Sequence, residues 1–319
     1  MLCIHIQNTD PFFCLAAEEY LLKNYSDDIF MLWQSNDTVV VGKHQNALAE
    51  INYRFVRENN ITLARRISGG GTVFHDSGNV NFSFIKNVKS PAEISFTQFT
   101  APVVNALGRL GIEATTSGRN DLLVDGLKIS GNAEHVYKNR VLHHGTLLFN
   151  SDLGNLGQAL KVVPGKYESK AVQSNRSPVA NISQFLKSPM TKEEFMRFLL
   201  DVQLENPETR FYSLNNNDTL KIEKLKSEKF SAWEWNFGYS PRYSFSYETK
   251  INGKWLNINL QVEKGIISGV TISGPFFSEM ECRALQDSLQ GKKHFYEEVH
   301  AGLENIKPSV SDELISAFF

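Results

Sequence analysis

The sequence of 319 residues predicts a chain that mixes strands and helices and that ends in a separate small α+β domain. Asp125 and Gly126 lie between two short apolar runs, and this dipeptide favours a type I′ β-hairpin. After Tyr243, three strand-like runs are separated by turn-forming dipeptides and followed by helices, an order typical of an independent α+β unit. We therefore predict two domains, residues 1–243 and 244–319.

The N-terminal part alternates strand-like and helix-like segments. Asp10 supplies an N-cap, and Pro11 the first residue, of a helix that reaches about Tyr25. A second long helix is predicted to begin at Ser90-Pro91 and to reach about residue 110. Apolar and alternating runs predict the strands LCIHIQ, IFMLWQ, TVVVG, ITLARRIS and NVNFSFIK, with a short helix in INYRFVRENN.

The later segments continue this mixture. The run EHVYKNRVLHHGTLLFN predicts a hairpin that turns at residues 138–140, and residues 151–182 predict a loop with one short helix. Helices are expected in TKEEFMRFLLDVQL and NNDTLKIEKLKSEKF. In the small domain, turns are expected at Asn252-Gly253 and Lys264-Gly265.

Composition excludes several classes of protein. The formal net charge is −2, which argues against a dedicated nucleic-acid binder. Cys3, Cys14 and Cys282 are far apart and form no Cys-x-x-Cys pair, so neither a zinc site nor a disulfide framework is expected. The N-terminus lacks the basic region of a secretory signal, and no apolar run approaches about 18 residues. We therefore expect a cytoplasmic protein with no membrane segment.

The stretch RRISGGGTVFHDSGN, residues 65–79, has the most unusual composition in the chain. It is not a Walker A loop, since no Gly-Lys-Ser/Thr follows, and it lacks the third glycine of the dinucleotide fingerprint. Three residues without Cβ allow a ligand to lie on the backbone, and Arg65 and Arg66 would add contacts to phosphate or carboxylate. The alternative is a tight turn or bulge with solvated arginines.

Four other polar residues in or near these motifs are candidates for the site. His75 is either a phosphate contact or a structural histidine. Lys128 is either a cation that neutralises a phosphate and a carboxylate, or an exposed lysine that protects an edge strand. His143 and His144 are adjacent on a strand and point to opposite faces, so one is expected to face the site and metal binding by the pair is not expected.

Together these stretches resemble the lipoate-protein ligase A family of the biotin/lipoate ligase superfamily. The resemblance is carried by RRISGGGTVFHDSGNVNFSF, NDLLVDGLKISGNA and HHGTLLFN, with VVVGKHQNALAEIN and WEWNFGYSPRYSF in support, and it covers nearly the whole chain. It implies an α+β fold whose catalytic domain has a mixed, largely antiparallel sheet like that of biotin ligases and class II synthetases. A small α+β C-terminal domain would follow.

The resemblance also implies the residues of the site. Lys128 matches the lysine that contacts the acyl carbonyl and the α-phosphate. One departure is His135, where some relatives have an arginine that contacts lipoate or the adenylate. The remaining assignments are Arg66, Gly71, Thr72, Val73 and Phe74 on the nucleotide side, and Ser68, Gly69, Gly70 and His75 on the lipoate or lipoyl-AMP side.

The implied activity is ATP-dependent activation of lipoate to lipoyl-AMP, with Mg²⁺ on the polyphosphate and no protein metal ligand. Transfer to a lysine follows, on the lipoyl domains of E2 subunits of 2-oxoacid dehydrogenases or on the glycine cleavage H protein. Three alternatives stay open: a lipoyl or octanoyl transferase that uses preformed acyl-AMP or acyl carriers, a biotin ligase, and a non-catalytic carrier-binding protein. Biotin ligation is disfavoured because the stretch SGGGTVFHD differs from the Gly-Arg-Gly-Arg-type loop of the biotin ligases.

Overall fold

The computed structural model describes residues 1–89, 95–117, 121–307 and 309–319. The chain divides into two compact units, each of which draws on separate stretches of sequence. The predicted division at Tyr243 stays a prediction. The first unit comprises Met1–Lys43, Ile61–Gly157 and Ser174–Ser231, and the second His44–Asn60, Gln158–Gln173 and Ala232–Phe319.

The first unit is built on an eight-stranded sheet with the strand order β12-β1-β2-β6-β10-β9-β8-β7. Of the seven neighbouring pairs in this described sheet, only β12-β1 and β1-β2 are parallel, which confirms the predicted mixed, largely antiparallel sheet. Its strands are β1 (Leu2–His5), β2 (Ile29–Trp33), β6 (Asn79–Asn87), β7 (Thr115–Ser117), β8 (Asp121–Val124), β9 (Leu127–Tyr137), β10 (Arg140–Leu148) and β12 (Arg210–Phe211).

Strand β6 differs from the sequence interpretation in its burial. Its residues alternate apolar and polar, yet the first seven are all buried. The strand lies in the interior of the sheet between β2 and β10, so side chains on both of its faces are covered. Polar members of the strand compensate by hydrogen bonding, as when Asn79 Nδ2 donates to Asn81 Oδ1 at 2.8 Å.

Helices cover both faces of this sheet. On β10, the ring of His143 stacks on Phe99, with ring centroids 5.0 Å apart, whereas the adjacent His144 contacts Glu18 on the other face. One face carries most of the apolar core, including Phe82, Phe99 and Phe195. The helices of the first unit are α1 (Pro11–Asn24), α3 (Phe96–Arg109), α5 (Lys192–Leu204) and α6 (Asn216–Leu225).

The predicted helix starts are confirmed wherever the structure describes them. Asp10 accepts hydrogen bonds from the amides of Phe12 and Phe13, and Thr191 forms a capping box with Glu194. The start predicted at Ser90-Pro91 lies outside the described residues. The loop predicted for residues 151–182 contains a helix, α4 (Leu153–Ala159).

A small three-stranded sheet with the order β4-β3-β5 carries the glycine run. Strand β3 pairs in parallel with β4 and antiparallel with β5, so the run must reverse the chain direction between β4 and β5. Since β3 is buried throughout, this sheet is a firm base for the turn. The strands are β3 (Thr38–Val41), β4 (Thr62–Arg65) and β5 (Val73–His75).

The second unit contains a four-stranded antiparallel sheet with the order β11-β13-β14-β15. The predicted turns are confirmed: Asn252 and Lys264 both have positive φ and each is followed by a glycine with positive φ. Its elements are β11 (Tyr167–Ser169), β13 (Tyr243–Ile251), β14 (Lys254–Glu263), β15 (Ile266–Ser273), α2 (Tyr53–Glu58), α7 (Glu279–Leu289), α8 (Tyr296–Glu304) and α9 (Asp312–Ser316).

Helix length and polarity also bear on membranes. Within the described ranges, no helix is both long enough and apolar enough to cross a bilayer.

Candidate functional site

The glycine run connects β4 to β5 as a bare, partly exposed turn. Gly70 has a φ of +83°, a left-handed conformation that glycine adopts without strain. A Cβ built on Gly69 would meet no atom of the described chain within 4 Å, so the space beside this residue is open. A ligand can therefore approach the backbone of the turn directly.

Arg66 holds this turn from beneath. Its Nη2 donates to the carbonyl oxygens of Gly69 and Gly71, both at 2.6 Å, and its Nη1 donates to Val40 O at 3.1 Å. Burial lowers the pKa of Arg66 to about 10, so the guanidinium is still charged at neutral pH. Its charge lies under the turn, and its donors fix the shape of the turn.

Arg65 is also buried, with none of its surface exposed. Its Nη1 donates to Gly42 O at 2.9 Å and to Lys43 O at 3.1 Å. These contacts tie the start of the glycine run to the end of β3. The interpretation of a turn with solvated arginines is therefore wrong, because both guanidinium groups are used inside the protein.

Ser68 begins a hydrogen-bonded chain below the turn. Its hydroxyl accepts from Arg66 Nε at 2.9 Å, and its Oγ lies 2.6 Å from His144 Nε2. On the other side of the ring, His144 Nδ1 lies 2.9 Å from Glu18 Oε1. Of the two adjacent histidines, His144 is the one that contacts this stretch. Sequence reasoning missed Glu18, a fully buried acidic residue of α1.

The residues after the glycines form β5 and are progressively buried. The Thr72 amide donates to Ser174 Oγ at 2.8 Å. Val73 and Phe74 pair with β3, and Phe74 is buried. The backbone of this segment is therefore fixed by the small sheet on one side and by Ser174 on the other.

His75 is a buried, uncharged histidine. Its Nδ1 lies 3.0 Å from Ser35 Oγ, and its ring makes an edge contact with Trp33 at 5.5 Å between centroids. Burial first, and then the neighbouring Arg66 and His144, lower the pKa of His75 to about 3. The imidazole is neutral at physiological pH, so it serves as a hydrogen-bonding group and not as a cation.

Lys128 lies near the start of β9 and is bonded on both sides of its backbone. It pairs with Leu123 of β8, and on the other side its amide donates to Pro178 O at 2.9 Å while its carbonyl accepts from Ala180 N at 3.0 Å. The interpretation as an edge-strand lysine is therefore wrong. The ammonium Nζ lies 2.9 Å from Asp121 Oδ1, and both side chains are about a quarter exposed.

Residues 174–180 connect the glycine turn to Lys128. Ser174 contacts the Thr72 amide, and a few residues later the same segment pairs with the backbone of Lys128. A Cβ on Gly70 would also lie 3.7 Å from the Cβ of Ala133 on β9, the strand that carries Lys128. The structure thus brings two motifs, far apart in the sequence, into one region of the first unit.

His135, the departure from the family pattern, is half-buried on β9. Burial, followed by the nearby Lys43, lowers its pKa, so this position supplies no permanent charge in place of an arginine. The three cysteines are buried, and burial raises the pKa of Cys3 to about 11 and that of Cys14 well above its usual value. These thiols are poor nucleophiles at neutral pH.

Comparison with known proteins identifies two family models that match this chain. A model described as the lipoyl protein ligase A/B catalytic domain matches residues 10–203, and one described as the bacterial lipoate protein ligase C-terminus matches residues 240–317. In sequence, lipoate–protein ligase 1 of Staphylococcus aureus is 41% identical over 297 residues, which cover 92% of this chain and 90% of that protein.

Two solved structures are similar in fold. One comes from a structural analysis of a bipartite lipoate protein ligase and its E2 lipoyl domain from Thermoplasma acidophilum. It is 26% identical in sequence with a TM-score of 0.64, and the match covers 75% of this chain and 96% of the other. The second is a lipoate-protein ligase A bound with ATP, with 25% identity, a TM-score of 0.64, and coverage of 74% of this chain and 98% of the other.

Proposed function

The chain belongs to the lipoate-protein ligase family and is a ligase, and we propose that it attaches lipoate to carrier proteins in two half-reactions, the first of which consumes ATP. First, a carboxylate oxygen of lipoate attacks the α-phosphorus of ATP; the bond to the β-phosphate oxygen breaks, and pyrophosphate leaves with its electron pair. Lipoyl-AMP results. Second, a lysine amine of the carrier attacks the lipoyl carbonyl, loses a proton, and expels AMP, leaving an amide.

The observation that carries this proposal is that residues 174–180 contact both the bare glycine turn and the strand residue Lys128. Bringing a carboxylate and a triphosphate together places two anions in contact, and fixed positive charge and amide dipoles offset that repulsion. Lys128 is the cation that we assign to the acyl carbonyl and the α-phosphate. Its ion pair with Asp121 is partly exposed, so the ammonium can exchange this partner for a substrate anion at small cost.

The other residues of the site divide between the two substrates. We assign Gly71, Thr72, Val73 and Phe74 to the nucleotide, mainly through backbone atoms. Arg66 supports them, since its guanidinium holds the turn and adds positive potential beneath it. Two of the remaining residues of the stretch, Ser68 and His75, are buried. To lipoate and lipoyl-AMP we assign Ser68, Gly69, Gly70 and His75.

Mg²⁺ is part of the proposal as a partner of the ATP phosphates. In the described parts of the chain, no cluster of three or more His, Cys, Asp or Glu side chains could hold a metal ion. Mg²⁺ commonly binds through one or two carboxylates and substrate phosphates, so a single carboxylate beside the phosphates fits. Asp121, next to Lys128, would be that carboxylate, in place of the expectation that no protein residue binds the metal, and the ion would neutralise charge on the departing pyrophosphate.

Lipoyl domains of E2 subunits are the acceptors that we propose first, because the archaeal ligase was described together with its E2 lipoyl domain. The glycine cleavage H protein is proposed as a second acceptor, since it carries lipoate on a lysine of the same kind of domain. The cytoplasm, the expected compartment, is reducing, and the described cysteines are consistent with it because all are free thiols.

One assay tests the activity directly. The purified protein is incubated with ATP, Mg²⁺ and free lipoate, without an acceptor, and both pyrophosphate and lipoyl-AMP are measured. A ligase produces both. If it produces neither, but transfers lipoate from supplied lipoyl-AMP to a lipoyl domain, the alternative of a transferase replaces this proposal. Absence of both activities from folded protein would leave a carrier-binding role.

A further inference from the structure

A continuous chain of hydrogen bonds runs from α1 through β10 to the underside of the glycine turn. The two oxygens of Glu18 lie 2.9 and 3.0 Å from His144 Nδ1, and His144 Nε2 lies 2.6 Å from Ser68 Oγ. Ser68 in turn accepts from Arg66 Nε at 2.9 Å. All four residues are buried, so water does not compete with these contacts.

The chemistry of these groups sets the direction of each hydrogen bond. A carboxylate only accepts, so His144 Nδ1–H donates to Glu18, and in the neutral form of the ring Nε2 is left as an acceptor. The Ser68 hydroxyl therefore donates to His144, and its oxygen is free to accept from Arg66, which only donates. All the hydrogen bonds therefore point from Arg66 toward Glu18, because a cation lies at one end of the series and an anion at the other.

Glu18 is itself held in place by the main sheet. Ser83 Oγ on β6 donates to Glu18 Oε1 at 2.5 Å, and Trp33 Nε1 on β2 donates to Ser83 Oγ at 3.0 Å. These two side chains lie on rigid neighbouring strands. The hydrogen-bonded chain thus extends from the interior of the sheet to Ser68 and Arg66, which lie in the connection between β4 and β5.

We propose that Glu18 and His144 are positioning residues for adenylation, which act through Ser68 and Arg66 on the glycine turn. In a trans peptide the C=O of one residue and the N–H of the next point in opposite directions. Because Arg66 binds the carbonyls of Gly69 and Gly71, the following amides, those of Gly70 and Thr72, are directed away from Arg66.

This inference rests on the proposed function, in which the Gly70 amide meets the reacting anions, since the Thr72 amide already donates to Ser174 Oγ at 2.8 Å. Preorganised amide dipoles stabilise charge that develops in the transition state more than they stabilise the bound substrates. Loss of the chain should therefore lower kcat for adenylation while the KM for ATP changes little. If the hydrogen-bonded chain served only for stability, its loss would change neither kcat nor KM in the folded enzyme.

His143 provides a matched control on the same strand. It is also a buried histidine next to a carboxylate, with its Nδ1 2.9 Å from Glu134 Oε1. Its ring stacks on Phe99, on the face of the sheet opposite His144, and it has no hydrogen bond to the turn. Replacing His143 should disturb the core as much as replacing His144 does, without affecting the turn.

The test compares Glu18→Gln, His144→Asn, His144→Gln and His143→Gln with the wild-type chain. Each protein is assayed for pyrophosphate release without acceptor, for transfer from supplied lipoyl-AMP, and for Tm. We expect Glu18→Gln and His144→Asn to lower kcat for adenylation roughly 10–100-fold. Losses of this size are typical when a residue that holds a metal-binding side chain in place is replaced, and we expect the same for residues that hold this turn. His144→Gln, whose amide reaches the position of Nε2 and so keeps a partner for Ser68, should recover part of that rate.

His143→Gln should lower Tm and leave kcat per folded molecule unchanged. If Glu18→Gln and His144→Asn also lower only Tm, the chain is structural and the inference is wrong. Should His144→Asn fail to fold, Glu18→Gln, which keeps the shape of the side chain, decides the question. If the wild-type protein itself releases no pyrophosphate, the proposed function fails, and this inference fails with it.

Discussion

At the scale of single residues, the properties of the site come from a few charged groups and from backbone without side chains. Arg66 is buried and fixed, whereas Lys128 is partly exposed and bonded to one carboxylate. This difference suits different tasks: a fixed guanidinium can shape a turn, and an accessible ammonium can change partners when an anion arrives. His75, which burial keeps neutral, contributes no charge.

Lys128→Met should abolish adenylation while the protein stays folded. Removal of one preorganised electrostatic group typically costs about 10²–10³ in kcat. The partly exposed ion pair with Asp121 contributes about 1 kcal/mol or less, so Tm should change little. Pyrophosphate release and Tm are measured beside Lys138→Met, a control at the exposed hairpin turn of the same strand. Release near the wild-type rate from Lys128→Met would contradict its assignment.

Gly70→Ala and Gly253→Ala form a second matched pair. Both glycines have positive φ, +83° and +77°, so both variants should lose about 1–2 kcal/mol of stability. Only at Gly70 would the new Cβ also approach Arg66 Nη2, at 3.2 Å, and crowd the turn. We expect ATP plus lipoate to raise the Tm of Gly253→Ala but not that of Gly70→Ala. An equal rise in both variants would show that the turn does not contact ligand.

At the scale of secondary-structure elements, helix α6 is attached to α1 through one buried carboxylate. Asp218 accepts from the hydroxyls of Tyr20 at 2.9 Å and Tyr212 at 2.8 Å, and it also closes the capping box of α6 with Asn215. Helix α1, to which α6 is attached, covers the face of the main sheet on which its Glu18 contacts His144. Their attachment therefore also stabilises the helix from which the positioning chain begins.

Asp218→Asn should lower stability in a pH-dependent way. Burial raises the pKa of Asp218, but hydrogen bonds from Tyr212, from the Asn215 amide and from Tyr20 lower it, and the net shift is downward. A carboxylate with a depressed folded pKa adds stability above its unfolded pKa of about 3.9, and loses it as the pH falls through the folded pKa. The variant should thus lose about 1–2 kcal/mol near neutral pH, or several degrees of Tm.

The deficit of Asp218→Asn should shrink as the pH falls below about 3.9, because the wild-type carboxylate then becomes protonated as well. Thermal unfolding at a series of pH values measures it. Asp287→Asn, an exposed carboxylate on α7, is the control and should show almost no deficit at any pH. A deficit for Asp218→Asn that stays constant with pH would exclude the charged hydrogen bonds as its cause.

At the scale of the whole molecule, the compact units do not follow the order of the sequence. Strand β11 belongs to the second unit, where Tyr167 pairs with Phe245 and Ser169 with Tyr243. A fragment of residues 1–243 would lose the partners of β11 beyond Tyr243. We expect this fragment to melt below the full chain and to be cleaved by protease within residues 158–173. A fragment that matched the full chain in Tm and in cleavage would instead support a domain boundary at Tyr243.

Sequence reasoning was most successful where the physical cause is local. The two positive-φ residues of the turn at Asp125-Gly126 follow from residue type alone, as does the cap at Asp10. It was less successful at β11, a strand of three residues inside a segment rich in turn formers. A strand that short has no periodicity to detect, and only its partner β13 stabilises it.

The sequence by itself determined the mixture of elements and the bare glycine run, because both depend on the chemistry of neighbouring residues. The role of Lys128 is a prediction that the family resemblance supplied. Only the tertiary structure decided what surrounds them. Ser68 and His144 are 76 residues apart in the chain, and Glu18 and His144 are 126 apart, yet each pair is in hydrogen-bond contact. Such contacts depend on which strands pair and which helix covers them, and short-range sequence patterns do not predict that pairing.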